Sequence, residues 1–333
     1  MPDTKSEIFN KLASYVLRRY QVNARKSMLD VYQVDRDFLR LEKDNLEFMY
    51  ENRPGIIAIL NDPEYSIDLA GVFVRSSLEF TYSSNQFVNL NQDEQQRLIA
   101  MYCNYLQGMK MVLQESGTFA EFEKDFSNLV KEHFKDLSNN ISRFFDRETG
   151  WQVQENIILK QVVCSEYTPE FQLDLLGLKK EDLIEPVLDL GCGKNGTLVK
   201  YLRQSGIKAI GVDRIVDQDP SLREADWFDI DFKTDSWGTV ISHMAFSNHF
   251  AFHHRYKNGR PRQYASLYME ILNSLKPTGS FIYSPGLPFI EQYLPDDRFS
   301  VQRQAISEKN PTQRDAPSNP DRQADVVKVK KLI

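Results

Sequence analysis

At 333 residues the chain is longer than one average domain, so two domains, or one domain with a large appendage, are expected. Hydrophobic residues at 41% and charged residues at 26% fall in the globular range and exclude disorder for the bulk of the chain. The 41 Lys+Arg against 47 Asp+Glu give a formal charge of −6, with no basic surplus to hold polyphosphate, so nucleic acid is not an expected partner.

No stretch approaches the roughly 20 continuous apolar residues of a bilayer helix, and the opening MPDTKSEIFNKLASYVLRRY lacks the apolar block of a secretory signal. The expectation is a soluble cytoplasmic protein without a membrane partner. Cys103, Cys164 and Cys192 are scattered and odd in number, which matches neither a disulfide framework nor paired zinc ligands.

Residues 1–150 hold 5 of the 15 glycines and 3 of the 14 prolines, and they read as long helices. A looser helical pattern over 5–52 ends at Arg53-Pro54-Gly55, and Asn61-Asp62-Pro63 marks another turn. Asn91 and Glu94 stand in capping-box spacing and open a helix through Leu98, Met101, Tyr102, Tyr105, Met109 and Val112, which stops before Ser116-Gly117. Thr118 and Glu121 repeat the spacing ahead of Phe122, Phe126, Leu129, Val130, Phe134, Leu137 and Ile141, a second apolar stripe at helical intervals. No catalytic signature stands out in this half. Its aromatic residues, Phe144 and Phe145 among them, read as a helical core.

The rhythm changes in the second half, 151–333. Pro186–Leu190 reads as a strand, Gly191-Cys192-Gly193-Lys194-Asn195-Gly196 as a turn, Leu198–Leu202 as a helix, and Ile207–Val212 as a second strand closed by Asp213. Thr239–Ser242 and Ser280–Ser284 supply later strands with a helix over Tyr264–Leu275 between them. Phe299–Ile306 and Val326–Lys330 read as two more, separated by the proline- and polar-rich loop Asn310–Gln323. Such alternation implies parallel strands joined by crossover helices, an α/β layered sheet.

Gly191, Gly193 and Gly196 match G-x-G-x-x-G, which suits a dinucleotide loop or a bare strand-to-helix turn. Asp189, two residues ahead, separates the cofactor readings: a carboxylate there repels a pyrophosphate and favours a cationic ligand. The V-L-D-L-G-C-G segment resembles the first motif of class I S-adenosylmethionine-dependent methyltransferases, and the likeness continues in order. Asp213 in A-I-G-V-D, followed by Arg214, stands where that family's second strand ends in an acid that takes the ribose hydroxyls. Ala225-Asp226-Trp227-Phe228 resembles the turn whose acid meets the adenine amino group, with Trp227 placed to cover the ring; Ala225 and Asp231 depart from the family's glycine and proline. Trp237–His243 resembles the fourth strand and its substrate-facing turn, with Ser242 beside the cofactor, and Leu275–Phe281 resembles the turn into the fifth. The resemblance spans about 165–333 and implies a Rossmann-like seven-stranded sheet, S-adenosyl-L-methionine as cofactor, and contacts to it from Asp189, Gly191, Cys192, Gly193, Gly196, Asp213, Arg214, Asp226, Trp227 and Ser242. Cys192 itself reads as a small space-filler.

Four of the five histidines fall within Ser242–His254. His243 suits a general base or an acceptor-orienting group, and His249 is the second catalytic candidate. His249 and His253, four apart, would share a helix face, but no further ligands stand at metal spacing, so no metal is expected. The alternative is a histidine- and aromatic-rich segment packed against the sheet, with Phe246, Phe250 and Phe252 as an apolar wall. The basic stretch Tyr256–Arg262 suits an anionic acceptor group or a plain exposed loop, Tyr283–Phe289 borders the acceptor by position, and Ser165–Pro169 is placed to fold over the cofactor.

The expected protein is therefore a methyltransferase with an all-helical N-terminal domain, 1–150, that caps the site, selects the acceptor or builds a homodimer. A small-molecule acceptor comes first and a protein or peptide second. The rivals are a non-catalytic S-adenosylmethionine-binding regulator and an NAD-dependent oxidoreductase, the latter opposed by Asp189.

Overall fold

The computed structural model describes residues 4–23, 42–149, 167–255, 259–306 and 325–332, and of 141–149 the backbone alone. The chain divides into two compact units, Met1–Cys164 and Ser165–Ile333. Cys164, Ser165-Glu166, Tyr256–Asn258, the loop Asn310–Gln323 and the side chains of Ile141, Phe144 and Phe145 lie outside the described residues.

The first unit is helical: α1 (Lys5–Asn23), α2 (Lys43–Glu51), α3 (Arg53–Leu60), α4 (Pro63–Ser84), α5 (Gln92–Glu115) and α6 (Phe119–Thr149). The capping box at Asn91 is formed, with Asn91 Oδ1 accepting from Glu94 N at 3.0 Å and Glu94 Oε2 from Asn91 N at 2.8 Å. Thr118 and Glu121 exchange the same pair of bonds, at 3.3 and 3.0 Å. Each pair satisfies amide donors that a bare helix end would leave open. The buried stripe of α5 is Leu98, Tyr102, Tyr105, Leu106, Met109 and Leu113, so Met101 and Val112 stand at its half-buried flank. The preceding helix stops at Glu51, ahead of Arg53-Pro54-Gly55 as expected, and the same three residues open α3: Pro54 lies in its first turn, where its missing N–H has no partner to lose.

The second unit carries one seven-stranded sheet: β1 (Val187–Leu190), β2 (Ala209–Asp213), β3 (Leu222–Glu224), β4 (Trp237–His243), β5 (Leu275–Ser284), β6 (Phe299–Ala305) and β7 (Asp325–Lys331), in the order β3-β2-β1-β4-β5-β7-β6. The first five run parallel and β7 pairs antiparallel with both β5 and β6. The helices are α7 (Pro169–Leu175), α8 (Thr197–Gln204), α9 (Phe246–Arg255), α10 (Pro261–Ser274) and the short α11 (Pro288–Glu291). Two apolar cores show that both sheet faces are covered. Leu188, Leu190, Val240 and Phe281 pack with α9 and α10, and Val187, Ile241 and Ile282 with α7 and α8. Near-continuous apolar strands such as Val187–Leu190 follow from that double coverage.

This is the Rossmann-like seven-stranded sheet that the sequence implied. The segment after β4, read from sequence as a turn, is instead helical from Phe246, and Ser242 explains why: its hydroxyl accepts from Phe246 N at 3.0 Å and donates to Leu190 O at 2.7 Å, capping α9 while tying it to β1. Among the described residues no helix is long and apolar enough to cross a membrane.

Candidate functional site

Strand order reverses direction at β1, with β2 on one side and β4 on the other, and ligands of open α/β sheets sit beyond the carboxyl ends at such a switch point. The glycine loop lies there. Gly191 N and Cys192 N both donate to Val212 O, at 2.9 and 3.3 Å, and Gly193 N donates to Asp213 Oδ2 at 2.9 Å. Gly191, Gly193 and Gly196 have φ of 85°, 75° and 55°, the left-handed region in which a side chain is strained. Gly191 has no room for one either, because an added Cβ would overlap Ala245 Cβ and lie 3.2 Å from Trp227. Ala245 and Leu222, the walls that demand glycine at 191 and 196, carry no signal in the sequence. Cys192 fills space against Gly211.

Two carboxyls stand under this loop. Asp189 is 2% exposed and, among the described residues, no donor reaches its carboxyl. Burial first, and the neighbouring Asp213 second, push its pKa up to about 7. Asp213 is likewise raised by burial, against the pull of Arg214 and the amides of Gly193, Arg214 and Ile215. Its Oδ1 accepts from Arg214 N at 2.7 Å. Two acids that resist ionisation side by side form a place for a cation or for hydroxyl donors.

The other predicted residues divide between roles. Asp226 Oδ1 accepts from Phe228 N at 3.1 Å and caps the 3-10 turn Trp227–Asp229. Trp227 is buried rather than an open plate. Its ring meets His249 edge-on at 5.1 Å, and its Nε1 has no hydrogen-bond partner among the described residues. Ser242 is fully buried and occupied with β1 and α9.

Of the four histidines from the end of β4 onward, His249 and His253 share Tyr264 as a neighbour, while His243 and His254 contact other rings. His243 lies at the strand's end, 9% exposed, in edge contact with Tyr167 and Phe171 at 5.0 and 6.4 Å, its Nε2 without a partner among the described residues. His249 meets the Tyr264 hydroxyl through Nδ1 at 3.4 Å. His253 accepts from Arg260 N and stacks on Tyr264, and His254 stacks on Phe289. The shared helix face of His249 and His253 is therefore spent on packing, and among the described residues no metal-holding group of His, Cys, Asp or Glu was found. After β5, Glu291 anchors the segment Tyr283–Phe289: it accepts from Tyr283 Oη at 2.7 Å and from Leu287 N, and pairs with Arg303. Phe171 was missed from sequence, although Thr168-Pro169 is a legible helix start that places it one turn from Tyr167.

Burial holds His133, His243 and His253 down to about 4, and His249 well below its ordinary value. A histidine with a depressed folded pKa contributes stability above its unfolded pKa, near 6.5, and loses it as pH falls through the folded value. Asp189 and Asp213, whose folded pKa values are both raised, act in the opposite sense, but they are two groups against four. The urea midpoint should therefore fall steadily from pH 6.5 to pH 4; a midpoint that holds or rises would show that these imidazoles are not buried neutral.

Fold and site together define a Rossmann-like α/β unit with a glycine loop over a carboxylate pair. No family model and no curated protein matches the chain. Solved structures do. The N-methyltransferase NodS of Bradyrhizobium japonicum is 10% identical, with 49% of this chain and 96% of that chain covered at a TM-score of 0.33. The 1,6-didemethyltoxoflavin-N1-methyltransferase of Burkholderia thailandensis is 17% identical, covering 50% and 76% at 0.32. The [4+2]-cyclase SpnF is 12% identical, covering 50% and 80% at 0.34.

Proposed function

We propose that the second unit binds S-adenosylmethionine and transfers its methyl group to a small-molecule oxygen or nitrogen. The observation that carries this reading is the Asp189–Asp213 pair beneath a loop that excludes side chains. An acidic pair with an unsatisfied carboxyl suits a cationic, hydroxyl-bearing ligand and disfavours the pyrophosphate of a dinucleotide. The residues present fit such a ligand. Gly191 leaves a cradle that a Cβ would fill, Asp189 offers a carboxyl that no donor among the described residues reaches, and Asp213 retains lone pairs beyond its amide bonds. Bound there, S-adenosylmethionine supplies a methyl group activated by its sulfonium. The chain's own part is positional. The loop amides, pinned to Val212 and Asp213, fix where the ligand rests, Asp213 orients its hydroxyls, and apolar packing around His243 keeps water from the acceptor side. We read the helical unit as the part that selects the acceptor or forms a homodimer.

Calorimetric titration separates the cofactor readings: S-adenosylmethionine should bind and NAD should not, and the reverse result overturns the proposal. Asp213→Ala should weaken S-adenosylmethionine binding by about 1.5–3 kcal/mol, the scale of a hydrogen bond to a charged group. An unchanged affinity would remove Asp213 from the site. Methyl transfer is tested with labelled S-adenosylmethionine against a metabolite panel, where binding without any transfer identifies a regulator.

A further inference from the structure

The cluster of Tyr167, Phe171 and His243 has no part in holding the loop. Tyr167 and Phe171 stack on each other at 5.2 Å with 24° between their planes. Both present themselves to His243 edge-on, at 63° and 64°. The backbone of Tyr167 is fixed independently. Its carbonyl accepts from Gln172 Nε2 at 3.0 Å and from Thr197 Oγ1 at 3.4 Å, and Thr197 opens the helix that leaves the glycine loop. Tyr167 thus spans from the cofactor loop to the end of β4. The next residue, Met244, has φ of 56°, and its N–H is held by Ser284 O at 2.9 Å, so the turn that carries His243 is fixed as well.

Beside these rings His243 Nε2 is buried and has no partner among the described residues, where a polar atom ordinarily has one. Register pairs Asp189 with Ile241, so Asp189 shares His243's sheet face one pleat step deeper, and its electrostatic neighbour is Asp213. Burial keeps the His243 imidazole neutral. Ser284, its register neighbour on β5, is uncharged. An anion brought here would be desolvated beside aromatic rings with Asp189 on the same sheet face, at a high cost, and the neutral imidazole offers a cation no counter-charge of its own.

We infer that Tyr167, Phe171 and His243 form a subsite for an uncharged aromatic molecule bearing an in-plane hydroxyl or ring nitrogen, which completes the hydrogen bond of His243 Nε2. The inference rests on the methyltransferase reading in one respect, that this molecule is the methyl acceptor. The subsite orients it and supplies no charge.

The test uses full-length protein and three probes, indole, benzoate and cyclohexanol, with binding followed by ligand-detected NMR and by the ¹⁵N shifts of histidine-labelled protein. Indole should bind and move one imidazole resonance, which His243→Asn identifies by its loss; benzoate and cyclohexanol should bind at least about tenfold more weakly. His243→Phe keeps the aromatic surface and should lose about 3–10-fold in indole affinity, the scale of one neutral hydrogen bond, while His243→Asn recovers part of it. S-adenosylmethionine affinity should stay within about twofold in both variants, which shows that they are folded. Indole binding no better than cyclohexanol, or undiminished by His243→Phe, overturns the subsite. Indole binding in a protein that ignores S-adenosylmethionine keeps the subsite and defeats the methyltransferase reading instead.

Discussion

Asp189→Asn will stabilise the ligand-free protein at pH 8 while weakening its hold on S-adenosylmethionine. The carboxyl is raised to about 7 by burial and by Asp213, from an unfolded value near 3.8. A carboxyl whose folded pKa is raised contributes stability below its unfolded pKa and loses it as pH rises through the folded value. At pH 8 the folded state therefore carries a buried charge that asparagine lacks, a difference on the order of 2–4 kcal/mol. The gap between variant and wild type in urea midpoint should be near zero at pH 4 and open through pH 7. Cofactor binding should move the other way: a neutral amide in place of the carboxylate removes about 1.5–3 kcal/mol of attraction to a cationic ligand. A midpoint difference that ignores pH would deny the raised pKa, and an unaltered affinity would deny contact with the cofactor. A residue that costs stability until the ligand arrives is what a binding site, rather than a scaffold, is expected to retain.

Gly191→Ala should be the most damaging single change in the loop. At φ 85° an L-residue is strained, and its Cβ would have to share space with Ala245 in the turn leading into α9, which Ser242 fixes to β1. Strain and overlap together should cost about 2–4 kcal/mol of stability in the second unit. The transition can be followed by fluorescence, because buried Trp227 lies against the same position. S-adenosylmethionine binding should fall below detection, since relief requires moving the amides now held on Val212 O. A variant that binds with wild-type affinity would mean that the loop reshapes freely and that its glycines serve the turn alone.

Much of the second unit was legible from residue order. Strand boundaries fell within a few residues because Gly191, Asp213, Gly279 and the prolines punctuate short apolar runs. The sequence-marked caps at Asn91 and Thr118 formed because they need only neighbours three residues apart. The helix after β4 was not legible as one: Phe246–Arg255 mixes buried aromatic rings with histidines, and its cap, Ser242, lies inside the preceding strand.

The sequence by itself therefore determined the local features: the glycine loop, the acids at the ends of β1 and β2, the alternation of strand and helix, and with them the layered architecture. These depend on spacing along the chain. Tertiary structure decided the rest, because it depends on which surfaces meet. It made Asp189 an acid near neutrality rather than an ordinary carboxylate, by burying it beside Asp213. It turned Trp227 inward against Gly191, set His249 and His253 against Tyr264, and gave His243 and His254 other aromatic neighbours. It also joined His243 to Tyr167 and Phe171, far away in sequence, by closing α7 over the end of β4. Burial and electrostatic coupling act through space, and a linear pattern carries them only where chain neighbours are also neighbours in the fold.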